Sequence, residues 1–70
     1  MEECAELIQA ELCCLEKDYA ASIEHYWNFI GMTNEESLLR RGYMAAHNAC
    51  LLGGDVFNLD KIAFLEEACQ

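Results

Sequence analysis

The stretch that decides the fold lies in the first half of the chain, where residues 8–30 read IQAELCCLEKDYAASIEHYWNFI. Its large apolar side chains follow one another at steps of 4, 3, 4, 4, 3 and 4 residues, which is the spacing of one helical face and excludes a strand. They are Ile8, Leu12, Leu15, Tyr19, Ile23, Tyr26 and Ile30. The spacing predicts a long helix over about residues 2–30, with a break at the charged triplet Glu16-Lys17-Asp18 as the alternative.

Glycine and capping residues indicate where a second helix begins and ends. Gly31 fits the left-handed position that terminates a helix, and Thr33-Asn34-Glu35-Glu36 matches a capping box. In that motif the Thr33 hydroxyl accepts a hydrogen bond from the Glu36 amide, while the Glu36 side chain reaches back. The pattern predicts a second helix over about residues 34–52, which Gly53-Gly54 terminates.

A short third helix over about residues 58–69 completes the predicted fold, with Asn58 or Asp55 as its N-terminal cap. We therefore expect an all-α protein with one domain over residues 1–70, an antiparallel helical hairpin with a short third C-terminal helix. The interior of the hairpin is expected to include Leu12, Leu15, Tyr19, Ile23, Tyr26, Leu39, Ala46 and Cys50. The third helix is expected to turn inward Leu59, Ile62, Ala63, Leu65 and Cys69.

The composition indicates a surface that another protein covers. A monomer of 70 residues buries only about 60% of the surface of its unfolded chain. Yet 54% of the residues are apolar, above the roughly 45–50% of ordinary soluble domains. We therefore predict a homodimer or a constitutive complex with a protein partner. Pairing through the long first helix is the expected arrangement.

The charge is strongly acidic, with 13 Asp and Glu against 4 Lys and Arg, a net charge of −9. Binding to a nucleic-acid backbone needs clustered Lys and Arg, so direct nucleic-acid binding is not expected. In the predicted hairpin, the starts of the first and third helices lie near the same end and would gather an acidic patch. Its members are Glu2, Glu3, Glu6, Glu11 and Asp55. The patch either faces a basic partner or serves only as a solvated surface.

The N-terminal segment and the cysteines indicate a compartment. Residues 1–6 are acidic where a signal peptide would be basic and then apolar, and no apolar run is long enough for a membrane span. The five cysteines lack the spacing of a secreted disulfide framework; they are Cys4, Cys13, Cys14, Cys50 and Cys69. We predict a cytoplasmic protein with free thiols and no membrane contact.

One combination of residues resembles part of a metal site. His47 and Cys50 are three residues apart and so share a face of the second helix, and a hairpin closed near residue 32 would set Cys14 opposite Cys50. Zinc sites usually show short paired spacings such as Cys-x-x-Cys, which this sequence lacks. Cys14, His47 and Cys50 are the candidate ligands, but we expect the thiols to pack in the interior, with no metal or other cofactor.

Catalysis is not indicated either. Nothing in the sequence resembles a nucleophile with a base and an orienting acid. Gly53-Gly54-Asp55 is expected to be a turn, because neither of the glycine-rich phosphate-binding motifs occurs. We predict that the chain is not an enzyme.

The aromatic cluster Tyr26-Trp27-Asn28-Phe29 is a candidate contact surface. Each residue of a helix turns by about 100°, so three neighbouring rings cannot all face one core. With Tyr26 inward, Trp27 is expected on the flank and Phe29 partly outward. Large rings on a flank often anchor interfaces. The cluster predicts partner binding by Tyr26, Trp27 and Phe29, with coverage by the third helix as the alternative.

Residues 15–27, LEKDYAASIEHYW, carry a family resemblance. They resemble the Leu-Glu, gap, Tyr-x-x-Ala-Ala-x-x-Trp stretch of two related groups of small bacterial regulators, the PerC-like proteins and the ANR family, which act on virulence transcription. The resemblance spans about residues 10–51. Ala20 and Ala21 stand where the PerC pattern has paired arginines, and His47 stands in place of a further arginine. The resemblance therefore implies the ANR style of action, in which a small helical protein binds a transcription regulator. Residues 18–26 are also similar to half of a tetratricopeptide repeat.

These observations predict a small acidic interaction module that binds a regulatory protein, such as a transcription regulator, and modulates it, in the inhibitory direction. The alternative is a decoy of the phage type, which inhibits a nucleic-acid-binding host protein by imitating the charge of a polyanion. Salt separates the two, because the affinity of exposed charges falls with ionic strength and that of an apolar surface does not.

Overall fold

A computed structural model describes residues 2–68 of the chain, with side chains from Cys4 to Ala68. Four helices account for nearly all of it: α1 (Glu2–Leu15), α2 (Tyr19–Met32), α3 (Glu36–Gly53) and α4 (Val56–Ala68). Between residues 2 and 68 there is no strand, which confirms the all-α class.

The predicted helix over residues 2–30 is two helices, so the prediction of one continuous helix is wrong and the alternative of a break at residues 16–18 is confirmed. Lys17 takes the left-handed conformation, with φ of 63°. Two hydrogen bonds then close the end of α1, from the Asp18 amide to the Cys13 carbonyl (2.8 Å) and from the Lys17 amide to the Cys14 carbonyl (3.0 Å). This is the pattern with which helices commonly terminate at a left-handed residue. The Asp18 side chain then caps α2 by accepting a hydrogen bond from the Ala21 amide.

The break adds a reversal of the chain. The Ser22 hydroxyl donates to the Ala10 carbonyl while Asn28, further along α2, reaches back to Glu6, so α1 and α2 run in opposite directions. Tyr19, at the start of α2, lies against Gly53 at the end of α3, so α2 and α3 are also antiparallel.

The helices form a single layer. Each helix packs against the next one in sequence, α1 on α2, α2 on α3 and α3 on α4. The body measures 28 × 27 × 13 Å, and three interhelical spacings of about 9 Å account for one long dimension. Helices α1 and α4 therefore form the two edges of the layer.

The core runs through all four helices, and half of the residues predicted for the hairpin interior are buried in it, while Tyr19 is half-buried. Its buried members are Ala10, Ile23, Tyr26, Tyr43, Ala46, Ala49, Cys50 and Ile62. Leu39 packs against this core half-buried. Of the residues predicted for the third helix, Leu59, Ala63 and Leu65 are half-buried and Cys69 lies outside the described residues.

Leu12 and Leu15 were expected in the interior, and this prediction is wrong. Leu12 is 45% exposed and Leu15 80% exposed. The break after Leu15 releases α1 from the direction of α2, and α1 then turns a different face inward. That face carries Leu7, Ala10 and Cys14.

The junction between α2 and α3 differs from the predicted one. Gly31 is helical within α2, which ends at Met32 with Thr33 in extended conformation. The Thr33 hydroxyl accepts from the Glu35 amide at 3.3 Å, so the capping box to Glu36 does not form. Helix α3 accordingly begins at Glu36 rather than at Asn34.

The junction between α3 and α4 follows the predicted chemistry. Gly54 has φ of 69° and ψ of 24°, the left-handed conformation that glycine adopts without strain. Of the two predicted caps for α4, Asp55 takes the position, and its carboxylate accepts from the Asn58 amide at 3.1 Å. Helix α4 begins at Val56, two residues earlier than predicted.

Candidate protein-interaction surface

The aromatic cluster predicted to bind a partner lies largely inside the layer. Tyr26 is 4% exposed and Phe29 only 1% exposed, so the expectation that Phe29 faces partly outward is wrong. Its ring fills the space that Gly42 leaves on α3, where an added Cβ would stand 2.9 Å from a ring carbon. Trp27 is half-buried, and the Lys61 ammonium of α4 lies 5.3 Å from the centre of its ring.

The predicted acidic patch is not assembled at one end of the molecule. Glu6 lies near Asn28, toward the end of α2, whereas Asp55 follows Gly53, which packs on Tyr19 at the start of α2. The reversal at residues 16–18 separates these carboxylates, because it places the starts of α1 and α4 at opposite ends of the layer. Glu11 is exposed on α1. The side chains of Glu2 and Glu3 lie outside the described residues.

Two of the acidic side chains have structural partners. Glu6 accepts a hydrogen bond from His25 Nδ1 at 2.7 Å, and this bond holds the pKa of the Glu6 carboxyl below its ordinary value of 4.5. Hydrogen bonds from the Asn58 side chain and amide likewise lower the pKa of Asp55 from 3.8. Both carboxylates thus stabilise helix contacts or caps.

The three candidate metal ligands do not converge. Cys14 contacts the Ser22 hydroxyl on α2 at 2.9 Å, and His47 contacts Glu66 on α4 at 3.0 Å. Over the part of the chain that the structure describes, no three His, Cys, Asp or Glu side chains are arranged to hold a metal ion. The predicted register failed because the break turns Cys14 toward α2, so it does not face α3.

Two of the thiols belong to the core: Cys50 is buried in it and Cys14 packs against it, whereas Cys4 is exposed and Cys13 is half-buried. The Ser22 hydroxyl has one hydrogen and donates it to the Ala10 carbonyl. In its contact with Cys14 the hydroxyl is therefore the acceptor, and the Cys14 thiol is the donor. Burial raises the pKa of the Cys50 thiol and raises the pKa of the Tyr26 phenol to about 12. Because the thiolate is the nucleophilic form, a raised pKa makes a cysteine less reactive at neutral pH.

A shallow depression lies between α3 and α4. It has a volume of about 250 Å³ and is lined by Met44, His47, Asn48 and Glu66. Ligand pockets usually measure about 300–1,000 Å³, so this depression is small for an organic ligand. The His47–Glu66 contact lies within it and ties α4 to α3.

One of the exposed apolar surfaces is a stripe on α1, which we call the α1 stripe. It consists of Ile8, Leu12 and Leu15, which are 56%, 45% and 80% exposed. Their spacing of four and three residues places them along one face of the helix, away from the face that packs on α2. No Lys or Arg occurs in α1, and Glu11 and Glu16 lie exposed beside the stripe.

The apolar spacing places these three residues on one helical face, but two of them, Leu12 and Leu15, were expected in the interior. The same spacing suits a buried face and an exposed one, and only the termination of α1 after Leu15 distinguishes them. The charged triplet at residues 16–18 was the available signal.

Comparison with protein-family models, with curated protein sequences and with solved structures finds no significant match. Within the described residues, no helix combines the length and the apolar character that crossing a membrane requires. The resemblance to the PerC-like and ANR groups therefore stays a prediction.

Proposed function

We propose that this chain is a small interaction module that binds a regulatory protein, such as a transcription regulator, through the α1 stripe and inhibits it. The observation that carries the proposal is the exposure of three large aliphatic side chains in line on one helix edge. Contiguous apolar surface of this kind marks protein-binding sites on small proteins.

The acidic residues beside the α1 stripe predict the charge of the partner's surface. Glu11 and Glu16 are exposed beside it, and the molecule as a whole has a net charge of −9. Complementary charge at the rim accelerates association and excludes wrong partners. We expect the partner to present an apolar groove or helix face bordered by Lys or Arg.

The acidic-decoy alternative has less support. A decoy needs a concentrated array of free carboxylates, whereas Glu6 and Asp55 are hydrogen-bonded and lie at opposite ends of the layer. Self-association, predicted from the surplus of apolar residues and expected through the first helix, remains a proposal.

The proposal is tested with the Leu12→Ala/Leu15→Ala variant as bait against the wild-type chain. Burying a leucine contributes about 1.5–3 kcal/mol when complete, so losing two partly exposed ones removes about 2 kcal/mol, or about 30-fold in affinity. Leu51→Ala/Leu52→Ala is the matched control, because these leucines are 57% and 67% exposed on α3.

The partner recovered with the wild-type chain should be lost from the α1 variant and retained by the control. Its dissociation constant should change little between about 50 and 200 mM salt, because apolar contact dominates. A partner retained equally by all three chains, or one whose affinity falls steeply with salt, would contradict the proposal and favour the decoy.

A further inference from the structure

Helix α4 is apolar on two opposite sides. Ile62 is fully buried and faces the core, while Phe57 and Phe64 are 77% and 73% exposed. The two rings are seven residues apart, so they share one face two turns apart, and that face is the outer edge of the layer.

The residues between the two rings carry opposite charges. Asp60 and Lys61 are both exposed, and at 100° per residue they lie about 50° to either side of the line that joins Phe57 and Phe64. The outer face of α4 is therefore a strip with an aromatic ring at each end, an acid on one flank and a base on the other.

We propose that two copies of this chain pair through the outer face of α4, with the two α4 helices parallel about a two-fold axis that runs along them. Such an axis places each phenylalanine against the same phenylalanine of the other copy. It also places the acidic flank of one α4 beside the basic flank of the other. Asp60 of each copy then faces Lys61 of the other, on both sides of the interface. An isologous interface must be self-complementary in this way.

The charges decide the orientation. If the two helices were antiparallel, the two-fold axis would be perpendicular to them. The acidic flanks of both copies would then lie on one side of the interface and the basic flanks on the other. Asp60 would then face Asp60, and Lys61 would face Lys61, which is repulsive. The Lys61 ammonium rests over the ring of Trp27, a contact with the ring face that leaves its N–H donors available for a carboxylate.

The alternative of a dimer through α1 is disfavoured on the same grounds. A stripe-to-stripe contact would bring together two copies of α1, which carries Glu11, is followed directly by Glu16 and contains no Lys or Arg, so like charges would meet around the apolar contact. Helix α4 is the edge at which a second copy offers complementary charge.

The expected dimer is weak. An aromatic side chain presents about 150–250 Å², so the two rings bury roughly 300 Å² from each copy, less than the roughly 800 Å² per partner of a standard interface. Sedimentation should show a transition from 7.9 kDa to twice that mass, with a dissociation constant on the order of 10–100 µM. Phe57→Ala/Phe64→Ala should weaken it at least about 10-fold without unfolding the chain, because both rings are exposed. Leu12→Ala should leave it unchanged.

Charge variants test the pairing. Asp60→Lys and Lys61→Asp should each weaken self-association, and an equal mixture of the two should restore it as a heterodimer. A chain that is monomeric at about 500 µM, or a dimer that responds to Leu12→Ala and not to the phenylalanines, would overturn the proposal.

Cross-linking tests the orientation. In parallel helices, Phe57→Cys and Phe64→Cys should each form its own disulfide-linked dimer under mild oxidation, because identical positions adjoin. In antiparallel helices only a mixture of the two variants would cross-link, and that result would overturn the parallel arrangement. The wild-type chain under the same oxidation measures cross-linking by its own cysteines.

Discussion

Adding one methyl group to α3 should destabilise the protein even though it removes a glycine from a helix. In an open helix, Gly→Ala is worth about 1 kcal/mol of stabilisation. At Gly42, however, the new Cβ would lie 2.9 and 3.0 Å from two carbons of the Phe29 ring and 3.1 Å from Ile30 Cγ1, where favourable contacts need about 3.5–4.0 Å. Phe29 is 1% exposed, so its ring can move away only by displacing the residues that cover it.

The net effect follows from these two opposing terms. Overpacking a core costs about 1–3 kcal/mol, and subtracting the helix propensity leaves Gly42→Ala less stable by up to about 2 kcal/mol. Gly31→Ala is the matched control, since Gly31 is helical, exposed and has nothing within 4 Å of an added Cβ. It should gain about 0.5–1 kcal/mol.

Urea and thermal unfolding followed by circular dichroism at the helical band measure both variants. For a domain of this size 1 kcal/mol corresponds to about 4–8 °C in Tm. The two variants should differ by about 0.5–3 kcal/mol, and so by at least about 2 °C, with Gly31→Ala above the wild type. If Gly42→Ala were as stable as Gly31→Ala, the close approach of α2 and α3 at this position would be refuted.

Three further predictions concern hydrogen bonds and a backbone conformation. The hydrogen bond from His25 lowers the pKa of Glu6, so the contribution of Glu6 to stability is present above pH 4.5 and is lost as the pH falls below it. Glu6→Gln should therefore flatten the low-pH part of a profile of urea midpoints measured between about pH 3 and 7. An unchanged profile would contradict the pairing of Glu6 with His25. Ser22→Ala removes the bond to the Ala10 carbonyl and should cost about 1 kcal/mol in urea unfolding; no loss would mean that the hydroxyl is dispensable. Gly54→Ala forces a side chain into φ of 69° and should lower stability by about 1–2 kcal/mol, whereas a gain would exclude the left-handed turn.

The helical class, the C-terminal end of α3 and the cap at the start of α4 could be predicted from the sequence because they depend on local chemistry. Apolar spacing identifies a helix. Gly54 terminates α3 by its left-handed backbone, and Asp55 starts α4 by its side-chain cap. These features need no information about what lies across the layer.

The break at residues 16–18 could not be decided by periodicity, because the apolar spacing continues through it from Leu15 to Tyr19. A continuous helix and a reversal satisfy the same pattern. The choice depends on whether Lys17 enters the left-handed conformation, and for a residue other than glycine this carries a cost that tertiary contacts must offset.

The candidate surface was misplaced for the same reason. Once the chain reverses, the stripe on α1 no longer continues into α2, and Leu12 and Leu15 face outward. The burial of Phe29 depends on Gly42, thirteen residues further along the chain. A contact of that kind is set by how two helices meet and has no local signature.

The placement of α1 and α4 at opposite edges of one layer has a consequence for avidity. A pair joined through α4 carries its two α1 stripes at the far margins, so the assembly is bivalent. A target that is itself two-fold symmetric would be held at both stripes once the first had bound. Such tethering raises the overall affinity by about 10²–10⁴-fold without any new contact. The gain is present only above the concentration at which the chains pair.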